Sequence, residues 1–325
     1  MTEILSLAGA NLISPIILSF ALGLIAALAR SDLTIPEAVA KGMSIYLLFA
    51  IGFKGGVAVS AHGIDQTLVL ALVAGLVLSF ALPLLAFAML RVMTGLSTVD
   101  AAAVAAHYGS ISIVTFVAAT SVLQGRMIPS EGYMVAVAAV MEAPAILSAL
   151  WLVARSGGGG RMEPGLIREL LLNGSIVLLV GAFFIGALTG EQGLAEISPF
   201  IVAPFKGVLC LFLLDMGLIA GRGLRQSKGV LNFGAIGFAI AMPLVSAMIG
   251  LGVGMLIGLS LGGVVLMMVL CASASYIAVP AAMRVALPEA NPAIYLTLSL
   301  GVTFPFNLTL GIPIYLAIAQ TVIGG

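Results

Sequence analysis

Charge is what this sequence has least of. Only 8% of its residues are Asp, Glu, Lys or Arg, against about 25% in a soluble domain. Thirteen basic and thirteen acidic residues cancel, and no basic run or basic–aromatic interleaving occurs. Nucleic acid is thereby excluded as a partner. The two cysteines, Cys210 and Cys271, both lie inside apolar segments. They offer neither a disulfide framework nor a metal site and read as small core residues. There are two histidines, and no G-x-S-x-G, Walker or H-E-x-x-H sequence. An enzyme or an ATP-driven pump therefore has no visible machinery. Met1 to Ala10 lacks a basic n-region, so the first apolar stretch reads as a retained span.

What is there is apolar length. Hydrophobic residues make up 62% of the 325 and the mean hydropathy is +1.25, which points to a polytopic membrane protein. Ten segments of roughly spanning length are expected. In the first half they run about Ile13 to Ala29, Ala38 to Ala61, Thr67 to Leu90, Val99 to Leu123 and Gly132 to Ala154. In the second they run about Ile167 to Leu188, Phe200 to Ala220, Val230 to Leu256, Leu261 to Val285 and Ala293 to Ile323. Between the halves lie Ser156 and four glycines, Gly157 to Gly160, a sequence with no reason to pack. The expected organisation is a repeat at 1–155, a hinge at 156–164 and a second repeat at 165–325.

The halves echo one another. Gly109-Ser110-Ile111-Ser112 returns 163 positions later as Ala272-Ser273-Ala274-Ser275. The same offset relates Phe20 to Phe183, Gly23 to Gly186, Leu48-Phe49 to Leu211-Phe212, and Gly95-Leu96-Ser97 to Gly258-Leu259-Ser260. Five spans per half is an odd number, so the second half enters the membrane upside down, as in many secondary transporters. The fold class expected is all-α integral membrane, with ten transmembrane helices as two inverted five-helix repeats.

Loop charge sets the orientation. One set of loops holds Arg30, Lys41, Arg91, Arg155, Arg161, Arg168, Arg222, Arg225, Lys228 and Arg284, and the other holds only Arg126. The hinge is therefore expected to be cytoplasmic, with both termini external, in a cell's inner (plasma) membrane.

Polar residues inside spans carry the functional signal. The two Ser patches lie where a plain helix is hardest to continue, one after Gly109 and one before Pro280. Interrupted spans expose N–H groups that favour an anion and carbonyls that favour a cation. Hydroxyls serve either ion, although Ser and Gly also simply permit close packing. Paired copies at symmetric positions favour a site. Lys54 and Asp215 lie in the second and seventh spans, where an ion pair competes with snorkelling of Lys54. Glu142, before Pro144, is a candidate ligand or proton carrier. His107 is a candidate relay, with a buried, neutral, hydrogen-bonded histidine the more probable reading. Tyr276 either donates its hydroxyl or packs, and Asp100 reads as a helix-N-terminal charge.

At these residues the sequence resembles the SbtA-type sodium-dependent bicarbonate transporters, best known from cyanobacteria. The matching pieces include Ile35-Pro36-Glu37-Ala38, Gly55-Gly56, Val99-Asp100-Ala101, Gly109 with Ser112 and Thr115, and Pro144-Ala145. Later come Ser260 to Val265, Ala272-Ser273 with Ser275, Pro280, Arg284, Ala290-Asn291-Pro292 and Ala319-Gln320-Thr321. The resemblance implies broken, crossing fourth and ninth helices in a core domain that moves, elevator-like, against a gate domain, within a homotrimer. It implies bicarbonate bound near that crossing by Gly109, Ser110, Ser112, Thr115, Ala272, Ser273, Ser275 and Tyr276, with Lys54, His107, Glu142 and Asp215 serving coupling or charge. No cofactor is implied beyond a bound sodium ion, and a PII-like regulator is the implied protein partner.

The chain departs from the family pattern in three places. Ile113-Val114 stands for Gly-Ser, Tyr276 for an acid and Lys54 for a threonine. The expectation drawn is that Lys54 stands in for one sodium, with coupling to protons through Glu142 or His107. Competing readings are a sodium- or proton-coupled permease for another small carboxylate, and a non-transporting membrane receptor or sensor.

Overall fold

The computed structural model describes residues 13–63, 65–142, 144–155, 174–226, 233–276, 279–280, 283 and 287–324. Among them every regular element is a helix. Helix α1 spans Pro15–Leu28, α2 Glu37–His62, α3 Gln66–Met93, α4 Thr98–His107, α5 Ile113–Gly125, α6 Met134–Val140 and α7 Pro144–Arg155. After the hinge come α8 Gly174–Ile201, α9 Phe205–Gln226, α10 Phe233–Ile257, α11 Leu261–Ala272 and α12 Pro292–Ile323. Two π-helical turns, Thr297–Thr303 and Asn307–Gly311, interrupt α12. The hinge at 156–164 and both chain ends lie outside the described residues.

Helix starts follow local chemistry. Ser14, Asp65, Ser97, Ser112, Ser260 and Asn291 each accept a backbone N–H of the first turn through a side-chain oxygen, the usual way to satisfy groups that a helix end leaves open. Past the caps, the sequence is apolar on every side. On α1, Leu18, Leu22 and Ile25 stay exposed, and on α3 so do Val69, Val73 and Val77. An apolar face open to the surroundings on a helix with an apolar interior is what lipid requires.

Among the described residues seven helical runs are long and apolar enough to cross a membrane, one of them α6 and α7 taken together, and α1, α5 and α11 are shorter apolar helices. The expected fourth and ninth spans are broken in the structure, the fourth at Tyr108–Ser112 and the ninth after Ala272. The fifth span is broken as well, at Met141–Glu142 between α6 and α7, which the sequence reading missed.

Two helix pairs make the same crossing. Where α1 meets α9, a Cβ on Gly23 would overlap the Leu214 carbonyl, and one on Gly217 would overlap the Phe20 carbonyl. Where α2 meets α8, a Cβ on Gly186 would overlap the Phe53 carbonyl, and one on Gly56 the Phe183 carbonyl. Each backbone thus rests on its neighbour through glycine, the close approach small residues allow in lipid. Gly23 and Gly186 are 163 apart, but Gly56 and Gly217 are 161 apart. The Leu48-Phe49 match at 163 is therefore out of step with the packing by two residues. In the packing register Lys54 corresponds to Asp215.

Candidate functional site

The breaks are held in place by prolines elsewhere. Pro83 in α3 has no N–H for the carbonyl of Ser79, and the first break packs against that turn of the helix. A Cβ on Gly109 would overlap the Pro83 ring. Ser79 Oγ donates to Met141 O at 2.6 Å, so the same turn of α3 also holds the break between α6 and α7. In α10, Pro243 leaves the carbonyl of Ala239 without its helical donor, and Thr303 Oγ1 donates to it at 2.7 Å. Having used its only proton there, Thr303 accepts from Tyr108 OH at 2.7 Å. The hydroxyls of Ser79, Thr303 and Tyr108 and the carbonyls of Met141 and Ala239 thus satisfy one another, as an interior in lipid demands.

The two breaks then cross. Ser112 N–H donates to Ser273 Oγ at 3.0 Å, and Ser273 Oγ donates to Leu270 O at 2.9 Å. Ser275 N–H donates to the His107 carbonyl at 2.8 Å, and His107 Nδ1–H donates to the Ser275 carbonyl. Nδ1 carries the proton in that bond, because a carbonyl oxygen only accepts. Its Nε2 has no partner among the described residues, and its ring stacks on Tyr295 with centroids 4.8 Å apart. His107 thus ties the two breaks together through its side chain and its carbonyl. Asn307, in the second π-helical turn of α12, donates to Ala272 O at 2.8 Å and accepts from Tyr315 OH at 2.8 Å. It closes the end of α11, and nothing in the local sequence pointed to it.

A narrow cleft opens beside the crossing, bordered by Ser44 and Leu48 of α2, Ile111 to Ile113, Glu142, Ser275 and Tyr276. Ser112 caps α5, with its Oγ accepting from Thr115 N–H and Thr115 Oγ1. The open N–H groups of the first turn of α5 begin at the same place, the positive end of a helix. Glu142 is 5% exposed and its Oε2 has no protein partner. Tyr276 packs edge-on to Phe304.

The structure brings Ser112, Ser275, Tyr276 and Glu142 together and sorts the other candidates differently. Gly109 is consumed in the Pro83 contact, Ser273 and Ala272 in the bonds that build the crossing, and Thr115 in the cap of α5. Ser110 is buried with its Oγ unpartnered and does not border the cleft. Ser44, bordering it from α2, was not singled out in the sequence, because one Ser in an apolar helix carries no pattern.

Lys54 is the clearest correction. Its Nζ sits 4.1 Å above the centre of the Phe205 ring, and no ion pair joins it to Asp215 among the described residues. Asp215 is buried on α9 and does not border the cleft either. Lys54 lies ten residues beyond Ser44 on α2, about 15 Å by helical rise. Lys54 is also not among the residues that border the cleft.

What the crossing can do chemically follows from its parts. Hydroxyls and a helix N-terminus suit an anion, while a buried carboxylate beside them needs a cation or a proton before an anion can enter. No curated protein matches this chain in comparison of whole sequences. A family model for the Na+-dependent bicarbonate transporter superfamily matches residues 15–320, and the chain belongs to that superfamily.

Proposed function

We propose that this protein is a secondary transporter carrying bicarbonate together with sodium, with the anion held at the crossing of the two broken helices. The observation that carries the reading is the convergence of Ser112, Ser275, Tyr276 and Glu142 on one cleft at the start of α5. The anion rests against the hydroxyls and the open N–H groups of α5. The cation lies between it and Glu142, cancelling a repulsion that would otherwise keep the two negative groups apart. Coupling follows from this: without the cation, the anion meets an unpaired carboxylate.

The paired glycine crossings support two inverted five-helix repeats. Helices α1, α2, α8 and α9 then form a gate through their shared glycine contacts, and α3 to α7 with α10 to α12 form the core that moves elevator-like against it. Both termini face outward and the protein assembles as a homotrimer in the inner membrane. Regulation by a PII-like protein would engage residues 156–164, which lie outside the described region.

Reconstituted protein tests the reading. Proteoliposomes with an inward sodium gradient should accumulate labelled bicarbonate in a saturable way, and potassium in place of sodium should abolish the accumulation. Accumulation of another small carboxylate but not bicarbonate would give the site to that substrate. Binding without uptake of either would leave a sensor.

A further inference from the structure

Beyond the crossing lies a second cavity of about 210 Å³, partly open to the surroundings, smaller than sites for drug-sized ligands and roomy enough for a small anion. It is walled by α2, α5, the loop after α5 and the start of α9. Its one basic residue is Lys54, eight residues before the end of α2 and so about 12 Å into the helix by rise. An ammonium at that depth is costly without compensation. Apart from the face of the Phe205 ring, Lys54 has no partner among the described residues.

Ser121 and Gln124 of α5 line the same cavity and can donate hydrogen bonds, whereas the Thr120 hydroxyl already donates to the Phe116 carbonyl. The acid that shares the cavity, Glu131, is already engaged. Its oxygens accept the Ser260 N–H at 2.6 Å and the Ser260 hydroxyl at 3.0 Å, at the start of α11, where the helix end favours negative charge. A neighbouring cavity, sharing Ser121 in its wall, adds Lys206 and Arg126. Across the walls of these two cavities Lys54, Lys206 and Arg126 stand against one acid, Glu131, a balance that favours anions.

The cavity also leads somewhere. Ile51 and Val117 border both it and a tight apolar constriction. Ser44 and Ile113 border both that constriction and the cleft beside Ser112. One face of α2, from Lys54 through Ile51 to Ser44, thus runs from the open cavity to the crossing.

We infer that Lys54, with Ser121 and Gln124, forms an outer capture site that holds a small monoanion such as bicarbonate or a short carboxylate before it reaches the crossing. The inference rests on the proposed transport of a small anion, but the site itself is testable without transport. Thr120→Cys in a Cys210→Ser background places a thiol in the cavity wall outside the proposed ligand set. In intact cells its reaction with impermeant methanethiosulfonates should favour the anionic sulfonatoethyl reagent over the cationic trimethylammonium one. Lys54→Met should lower that preference by about three- to tenfold, as expected for removal of one charge within several ångströms. Lys54→Arg should keep it, and Lys54→Gln serves where Met fails to fold. Bicarbonate should slow the labelling with Lys54 present and not without it.

A preference unchanged on removing the Lys54 charge overturns the site, as does a thiol that cannot be reached from outside. Where uptake is measurable, Lys54→Met should raise KM several-fold with little change in maximal rate. A charge-dependent labelling preference in a protein that carries out no uptake leaves the capture site standing and removes the transport reading instead.

Discussion

Ser112 and Ser275 show what a hydroxyl at membrane depth is for. Both border the cleft, and only Ser112 has a structural duty, the cap of α5. Losing a hydrogen bond to a charged ligand costs about 1.5–3 kcal/mol, at least tenfold in affinity. Ser275→Ala is therefore expected to raise the KM for uptake at least tenfold at unchanged protein level. Ser112→Ala should do the same and in addition lower thermal stability by about 1 kcal/mol, since the cap goes too. Normal uptake by both variants would place the substrate elsewhere. Glu142 makes a different prediction. Glu142→Gln removes the charge that needs a cation, so bicarbonate binding should become independent of sodium, read as binding isotherms with and without the ion. Persistence of steep sodium dependence in that variant would assign the cation to other groups.

At the scale of elements, the breaks are held by packing rather than by their own residues. Gly109 can sit against Pro83 only without a side chain. Gly109→Ala should destabilise the protein by about 1–3 kcal/mol, the usual cost of overpacking a core, read as a lower melting temperature in detergent. Removing the ring as well, in Gly109→Ala with Pro83→Ala, should recover part of that loss, because neighbouring sites couple. Strict additivity of the two changes would argue against the contact as the cause. The fifth span teaches a similar lesson. The turn at Met141–Glu142 is fixed from α3 by Ser79, a residue 62 positions away. Asn307 closes α11 in the same fashion from α12.

For the whole molecule, topology is the open measurement. The loop charges predict that residues 156–160 are cytoplasmic and that Gly325 is outside. Single cysteines placed in the hinge should be protected from an impermeant reagent in intact cells, and cysteines at position 325 should react. Labelling of the hinge from outside would invert the whole arrangement, including which end of the molecule the Lys54 cavity faces. The trimer is checked by native mass in lipid nanodiscs, where a monomer would remove the oligomeric part of the proposal.

Much of this architecture was legible without coordinates, for a physical reason. Lipid offers no hydrogen bonds, so span length, loop charge and the cost of polar groups are properties of the chain read in order. The membrane class, the breaks in the fourth and ninth spans, the Ser patches beside them, Asp100 at the start of α4 and the family all came from that reading. Contacts between distant residues are not written in order. Whether Lys54 reached an ion site, Asp215 or an aromatic ring depended on which helix lay beside α2. The packing set it over Phe205, and set the second-span register two residues away from the one that Leu48-Phe49 suggested. The tertiary structure alone decided that Glu142 and Ser44 share a cleft with the Ser patches, because contacts such as Gly109 on Pro83 and Ser79 with Met141 join residues far apart in the chain, and no local pattern records which helices come to lie side by side.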